Sequence, residues 1–386
     1  MVLNLPCFEA PKNFFLYLFL ALNTIFQLLT FVKKKFDLWD LIFFILISSA
    51  FLSTIFSGID FAQWRGLRLF LSCALVGWFV SRSNLSIKQA KIILLLIVLS
   101  TFLTLAYGLF AYLYLHVKSD LQLNSVGHVN HSAIYLVIVM GVLFSLVASS
   151  WKDLVFYRKI LSSLLVLFFI VGLIVSQSRA AVGVGFLLIV LLAFFVGREL
   201  KFKIGVLCSL FLIGLTSVIL NVGVVQKESR NEQNKDILGQ RDKVWNVSFE
   251  AARWHPLLGL GLNNWANIKP ENIQSSLEAR GEKFDKEKYL FQGHSHSIYL
   301  NTIVERGVVG FFALIGFMVT WLLFLISDYR LNKNNVETKM LWGVAFSAWF
   351  ATFGIGLVNT TLHHEHGILT FLLLGIFLTC KRKKEH

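Results

Sequence analysis

Three groups of polar residues stand out in a chain of 386 residues that is otherwise strongly apolar. The first is Arg179, in the sequence Ser-Gln-Ser-Arg-Ala-Ala between two apolar runs, where a permanent charge is costly unless a partner lies nearby. The second is the set of histidines, and the third is the stretch from His294 to Gly310, which opens with two histidines. A guanidinium group binds phosphate as a planar fork, and an imidazole accepts a proton from a hydroxyl near neutral pH.

Arginine and histidine together suit the transfer of a sugar from a lipid diphosphate to a hydroxyl acceptor. Arginines stabilise the charge on the departing diphosphate, which removes the need for a metal or an acid, and a histidine then has only to activate the acceptor hydroxyl. The small residues Ser176, Ser178 and Ala180 beside Arg179 leave room for such an anion. The alternative is an arginine at a helix end whose side chain extends to lipid headgroups.

The histidines are unevenly distributed along the chain. Nine of the ten fall in segments that we predict on one side of a membrane, and only His386 is on the other. An amphipathic imidazole suits a membrane interface, which explains any single histidine but explains the whole set less well. The nine are His116, His128, His131, His255, His294, His296, His363, His364 and His366.

The elements that must position these residues are membrane helices. The chain is 56% hydrophobic and 15% charged, and apolar runs long enough to cross a bilayer recur along it. The runs lack the period-two alternation of a barrel strand, so we predict an all-α polytopic integral membrane protein with eleven or twelve spans. The eleven predicted spans are 14–32, 39–57, 66–82, 91–113, 132–150, 160–177, 180–197, 204–222, 298–326, 340–358 and 367–380.

The basic residues predict the orientation of these helices. Segments 33–35, 82–91, 151–159, 197–203, 328–339 and 381–386 hold 19 of the 36 Lys and Arg residues, which places them in the cytoplasm and the histidine clusters on the opposite face. The net charge of +14 is spread over these helix ends, where it meets anionic membrane lipids, so nucleic acid is not an expected partner. The four cysteines are dispersed, and the N-terminus lacks the features of a cleavable signal peptide.

One segment, 223–295, is large and polar and divides the chain into three parts. We predict eight membrane helices in 1–222, an extramembrane loop domain in 223–295, and membrane helices with a basic tail in 296–386. Within the loop domain we expect a helix that starts near Arg241 and ends at His255-Pro256. Residues 266–293 lack periodicity and are interpreted as a mobile loop.

The chain resembles the O-antigen ligase and polymerase superfamily. Members carry a histidine followed by Asn, Ser or Gln, nine residues, and Gly-x-x-Gly, and this chain has His296-Ser297, nine residues, and Gly307-Val308-Val309-Gly310. The Ser-Arg at 178–179, the Arg-x-x-x-Trp at 241–245 and the Pro-Leu-Leu-Gly-x-Gly at 256–261 also match. The resemblance covers about residues 125–375 and implies a GT-C-like membrane glycosyltransferase of the bacterial inner membrane with its active site facing the periplasm.

The resemblance also implies roles for individual residues. Arg179 and Arg241 would contact the diphosphate of an undecaprenyl-diphosphate-linked O-antigen donor, and His296 would be the base for a sugar hydroxyl of the lipid A core acceptor, with inversion and without metal or cofactor. Further expectations concern side chains that would contact the acceptor or support these three residues, and side chains that would bind lipid phosphate. The acceptor contacts are His294, His363 and Glu365, and the phosphate ligands are Arg65 and Arg68, for which the alternative is extension to headgroups.

Three other functions and one further kind of site stay open at this point. A polymerase would use another repeat unit as acceptor, and an O-oligosaccharyltransferase would use a protein; a single large outer loop without an added C-terminal domain favours the ligase. A polyprenyl-lipid transporter would show polar residues at mid-membrane, whereas here they gather on one face. A metal site is a further hypothesis, and it would draw on His294, His296, His363, His364, Glu365 and His366.

Overall fold

The computed structural model describes residues 1–30, 35–57, 61–118, 120–233, 240–331 and 335–382. Within these residues the chain is helical and forms no strand, which confirms the predicted fold class. The helices are α1 (Glu9–Thr30), α2 (Leu38–Phe56), α3 (Phe61–Ser81), α4 (Ile87–Leu113), α5 (Val129–Ser150), α6 (Phe156–Val175), α7 (Arg179–Phe195), α8 (Leu200–Ile219), α9 (Val224–Gln233), α10 (Arg241–Ala251), α11 (Pro270–Glu278), α12 (Ile298–Leu331), α13 (Val336–Ile355) and α14 (His364–Arg382).

A helix occupies each of the eleven predicted spans. Seven of the described helices are long and apolar enough to cross a membrane, namely α1, α2, α4, α5, α6, α8 and α12. Helix α7 is apolar but shorter, at 17 residues. The protein is therefore a multi-pass membrane protein.

Helices α5, α13 and α14 form the centre of the bundle. In α5, 94% of the most apolar stretch is buried inside the protein, against 11% in α8. Helix α8 therefore lies at the periphery of the bundle. Helices α5 and α13 approach closely at reciprocal small residues: a Cβ added at Gly141 would lie 2.4 Å from Ser347 Oγ, and one at Gly343 would lie 2.5 Å from Ser145 Oγ. Small residues allow this close packing of membrane helices.

Ion pairs connect the helices at the end of the bundle opposite the histidines. Arg82 Nε donates to Asp40 Oδ1 at 2.8 Å, and Arg382 Nη2 donates to Asp37 Oδ1 at 2.7 Å. Further pairs are Lys381–Asp328, Lys91–Glu337 and Arg198–Asp153. The described parts of the predicted basic segments thus share one end of the molecule, and residues 33–34, 332–334 and 383–386 of those segments, including His386, lie outside the described residues.

The polar segment between α8 and α12 has a small core of its own. Helix α10 begins at Arg241, as predicted, although it ends at Ala251 rather than at His255-Pro256, and Val244, Val247 and Ala251 lie on its buried face. The interpretation of 266–293 as a mobile loop is wrong, because α11 lies within it. Ile273 and Leu277, one turn apart on α11, bury their side chains against α10, and the Arg280 guanidinium forms a two-pronged contact with Glu250 at 2.6 and 2.9 Å.

Candidate functional site

A break in α12 connects the polar segment to the membrane helices. Gly307 has φ 61° and ψ −164°, so the helix is interrupted there and main-chain groups become free to bond elsewhere. The turn at 256–261 forms hydrogen bonds with these main-chain groups of α12. Leu260 N–H and Gly261 N–H donate to the carbonyls of Val304 and Glu305 at 2.9 Å, and Val308 N–H donates to the carbonyl of Pro256 at 2.8 Å.

Glycine is required on both sides of this contact. A Cβ on Gly307 would lie 2.3 Å from the Leu257 carbonyl, and one on Gly259 would lie 2.4 Å from the Glu305 carbonyl carbon. Both residues also have a positive φ, which a larger side chain disfavours. The Pro-Leu-Leu-Gly-x-Gly and Gly-x-x-Gly motifs, which the sequence shows 45 residues apart, are therefore the two halves of one main-chain contact.

Arg179 and Arg241 each begin a helix on the histidine side. Arg179 is the first residue of α7 and is half-buried, and Arg241 is the first residue of α10. Burial, and then the charge of Arg179, lower the pKa of Arg241, so the two guanidinium groups interact. Two cations beside two helix N-termini form an environment that favours an anion.

Helix α9 contacts the junction before Arg179. Lys227 Nζ donates to the carbonyl of Gln177 at 3.3 Å, and Gln177 has a left-handed φ of 54°. Ser178, next in the chain, donates to Asn130 Oδ1 at 3.3 Å from the first turn of α5. These contacts position the start of α7 and with it the Arg179 backbone.

His296 lies just before α12 in a left-handed conformation, with φ 52°. Its Nε2 contacts Gln292 Oε1, and its main-chain N–H donates to His294 Nδ1 at 3.2 Å. Burial, and then the charge of Arg241, lower the pKa of His296 to about 4, while Asn359 acts in the opposite direction. The imidazole is therefore neutral at physiological pH and shares an electrostatic environment with Arg241.

Seven of the nine histidines predicted on this face form one contiguous group, which we call the histidine cluster. Ring centroids of neighbouring members lie 4.2 Å to 6.4 Å apart. Burial, and then the neighbouring His296, lower the pKa of His294 to about 3, and burial holds the pKa of His363 well below its usual range. The members are His128, His131, His294, His296, His363, His364 and His366.

A cavity of about 390 Å³ opens beside the cluster. Arg65, His294 and His363 line it, together with Arg306, whose guanidinium lies over the Phe70 ring at 4.8 Å. The wall also contains Asn301, Glu305 and Thr360, whereas Arg179, Arg241 and His296 are not part of it. The cavity is thus a second polar space. It adjoins the arginine pair because His294 lines it and packs against His296, which interacts with Arg241.

The remaining predicted site residues lie apart from this cavity. Arg68 lines a separate, largely apolar groove with Leu20 and Phe51, although it lies only one helical turn from Arg65. Glu365 is buried in an ion pair with Lys12, and Ser125 hydrogen-bonds to both at 3.3 and 3.4 Å. Glu365 therefore joins α14 to α1 and does not face the cavity.

Several residues near the site were not singled out from the sequence as site residues. Gln292 and Asn359 contact His296, and Arg306 and Asn301 line the cavity. Arg306 had a detectable signal, since it is a charge inside an apolar run, and such charges mark functional sites in membrane proteins. Gln292 and Asn359 gave none, because short polar residues next to a membrane span are ordinary.

Fold and site together define a polytopic helical membrane protein with a cationic, histidine-rich site at one end. The model of the O-antigen ligase family matches residues 164–315, which include Arg179, Arg241, His296 and the Gly307 break. This central part of the chain is therefore similar to the O-antigen ligase family. A Haemophilus influenzae protein described as uncharacterized is 30% identical over 120 residues, which span 31% of this chain and 27% of that protein.

Proposed function

We propose that the protein is an O-antigen ligase of the bacterial inner membrane, with its active site facing the periplasm. It would transfer O-antigen from undecaprenyl diphosphate to a sugar hydroxyl of lipid A core. The observation that supports this most directly is that Arg241 interacts electrostatically with both Arg179 and His296, although the three residues come from distant parts of the sequence. The match of residues 164–315 to the O-antigen ligase family supports the same class of reaction.

The proposed reaction is a single inverting displacement. The acceptor oxygen attacks the anomeric carbon of the donor sugar as His296 takes the hydroxyl proton, and the bond from that carbon to the diphosphate oxygen breaks with its electron pair. Undecaprenyl diphosphate leaves with the negative charge, which Arg179 and Arg241 stabilise through charge-assisted hydrogen bonds. The leaving group then needs no proton and no metal.

The low pKa of His296 fits a role that begins when the donor binds. In the free protein the charge of Arg241 is one cause of the lowered pKa. A bound diphosphate neutralises that charge, so the pKa of His296 rises by the part that Arg241 contributes, while burial, the larger cause, continues to lower it. Base strength is thereby coupled to occupancy of the donor site, which limits unproductive proton transfer when no donor is present.

We propose the cavity beside His294 as the acceptor side of the site. His294 and His363 line it with Arg65, so the acceptor sugar would meet the imidazole N–H of His294, the ring of His363 and one cation there. Acceptor or phosphate contacts by Glu365 and Arg68 are not retained, because Glu365 is paired with Lys12 and Arg68 faces another groove.

A deletion strain examined by lipopolysaccharide gel tests the function. Loss of every ladder band with retention of free core is expected for a ligase. A core that carries a single repeat unit indicates a polymerase instead, and an unchanged ladder contradicts both. Complementation with the intact chain must restore the ladder.

Purified protein with lipid-linked glycan and core lipid tests the residues. His296→Ala should lower turnover by about 10² to 10⁴-fold, the range for a general base. Arg179→Lys should also lose most activity, because an ammonium cannot reproduce a two-pronged contact. Matched controls are His255→Ala and Arg253→Lys, both exposed and in the same polar segment, which should keep wild-type turnover. Full activity of His296→Ala would exclude it as the base.

A further inference from the structure

The inner part of the histidine cluster has the geometry of a metal site. His131 Nδ1 and His366 Nε2 lie 3.0 Å apart, and their rings are nearly parallel, at 4°. His363 completes the set, since one ring nitrogen from each of the three histidines lies within 4.8 Å of the others. Three imidazole nitrogens that face one another are a ligand set suited to zinc and related transition metals.

We infer that His131, His363 and His366 bind a divalent transition metal ion such as Zn²⁺. This differs from the sequence-based metal hypothesis, which omitted His131 and included His294, His296, His364 and Glu365. Glu365 is occupied by Lys12, and His131 comes from α5, more than 230 positions before the other two ligands. The inference concerns a structural ion and does not alter the metal-independent reaction proposed above.

The distances are compatible with coordination after a small rearrangement. Zinc bound to imidazole nitrogens at about 2.0–2.1 Å in a tetrahedral site separates those nitrogens by about 3.3 Å. The His131–His366 spacing of 3.0 Å is already near that value. The widest nitrogen separation, 4.8 Å, has to close by about 1.5 Å, which requires a shift of the half-buried His363 side chain toward the other two rings.

The surroundings also orient the third ligand. His363 Nε2 lies 2.9 Å from the carbonyl of Thr360, so it carries the proton and leaves the lone pair on Nδ1. A carbonyl that fixes the ring in this way is the usual outer partner of a metal-binding histidine. Thr360 Oγ1 in turn lies 3.1 Å from His294 Nδ1. The ion would thus connect α5, α14 and the 360–363 turn that adjoins the cavity.

Metal content of the purified full-length protein tests the inference, and the protein should carry an affinity tag without histidines. After treatment with a chelator and dialysis, Zn²⁺ is titrated in and bound metal is measured by mass spectrometry. We expect one tightly bound ion per chain, and X-ray absorption should show nitrogen neighbours at about 2.0 Å. Failure to retain any zinc would overturn the inference.

Two variants locate the ion and one serves as control. His363→Gln and His131→Asn should each weaken zinc binding at least tenfold, and both residues are only half-buried, so the fold should survive. His255→Ala removes an exposed histidine outside the cluster and should leave binding unchanged. Equal zinc binding in all three variants would contradict the site. Because the readout is bound metal, this result is independent of whether the chain ligates O-antigen.

Discussion

At the scale of single residues, His296 carries a prediction about pH. Its pKa of about 4 leaves the imidazole neutral across the range in which an ordinary histidine, with a pKa of about 6.5, becomes protonated. Diethyl pyrocarbonate reacts only with neutral imidazole, and the modified residue is identified by peptide mass spectrometry. We expect the rate at His296 to change less than twofold between pH 7.5 and 5.5, whereas a histidine in a model peptide slows about tenfold.

An arginine substitution serves as the control for that measurement. In Arg241→Gln the second cause of the lowered pKa is removed, so the pKa of His296 should rise and its reactivity should begin to fall at a higher pH than in the wild type. A wild-type profile that matches the model peptide would show that neither burial nor Arg241 affects this imidazole.

The sequence predicted Arg179, Arg241 and His296 because motifs mark them, but it could not predict their surroundings. The Lys12–Glu365 pair joins residues 353 positions apart, whereas Glu365 was expected to contact the acceptor. Arg65 and Arg68 were expected to act together, since they lie one turn apart, yet they face different spaces. Which neighbouring helix faces a residue depends on the packing of the whole bundle, and local spacing does not determine it.

At the scale of elements, the break in α12 at Gly307 determines how the polar segment meets the membrane helices. Gly307→Ala places a methyl group against the Leu257 carbonyl at a positive φ. The conformation at φ 61° and ψ −164° is one that essentially only glycine adopts and alone costs about 1–3 kcal/mol for a residue with a side chain, and the overlap adds to this cost. We expect a lower Tm in detergent, faster proteolysis between α9 and α12, and a large loss of ligation.

Gly316 in the same helix provides the matched control. A Cβ at that position meets no atom within 4 Å, so Gly316→Ala should be neutral or slightly stabilising, as alanine generally is within a helix. Equal effects of the two substitutions would mean that the 256–261 turn does not depend on the break.

The elements themselves were mostly predictable because apolar runs of bilayer length are a strong signal. Helix α11 was missed for the opposite reason. It has nine residues, and two buried positions, Ile273 and Leu277, are too few to establish a helical period in a charged stretch. The kink at Gly307 depends on a partner turn at 256–261, which lies in another part of the sequence and which local spacing does not reveal.

At the scale of the whole molecule, the two ends of the bundle use different chemistry. One end is held by ion pairs among α2, α3, α12 and α14, and the other carries the histidine cluster with Arg179 and Arg241. Helix α1 is weakly embedded, with only 17% of its apolar stretch buried. The buried Lys12–Glu365 pair therefore has a large share in holding α1 to α14 beside the histidine cluster.

This pair gives the prediction for global stability. Glu365→Gln leaves the Lys12 ammonium buried without a counter-charge, which typically costs about 3–5 kcal/mol. Replacing both partners, as in Lys12→Met with Glu365→Leu, removes the unpaired charge and should return Tm most of the way to the wild-type value. Glu337→Gln breaks the half-exposed pair with Lys91 and should cost about 1 kcal/mol or less. If Glu365→Gln lowers Tm no more than Glu337→Gln does, Lys12 finds water when its partner is lost, and α1 is held to the bundle by apolar packing alone.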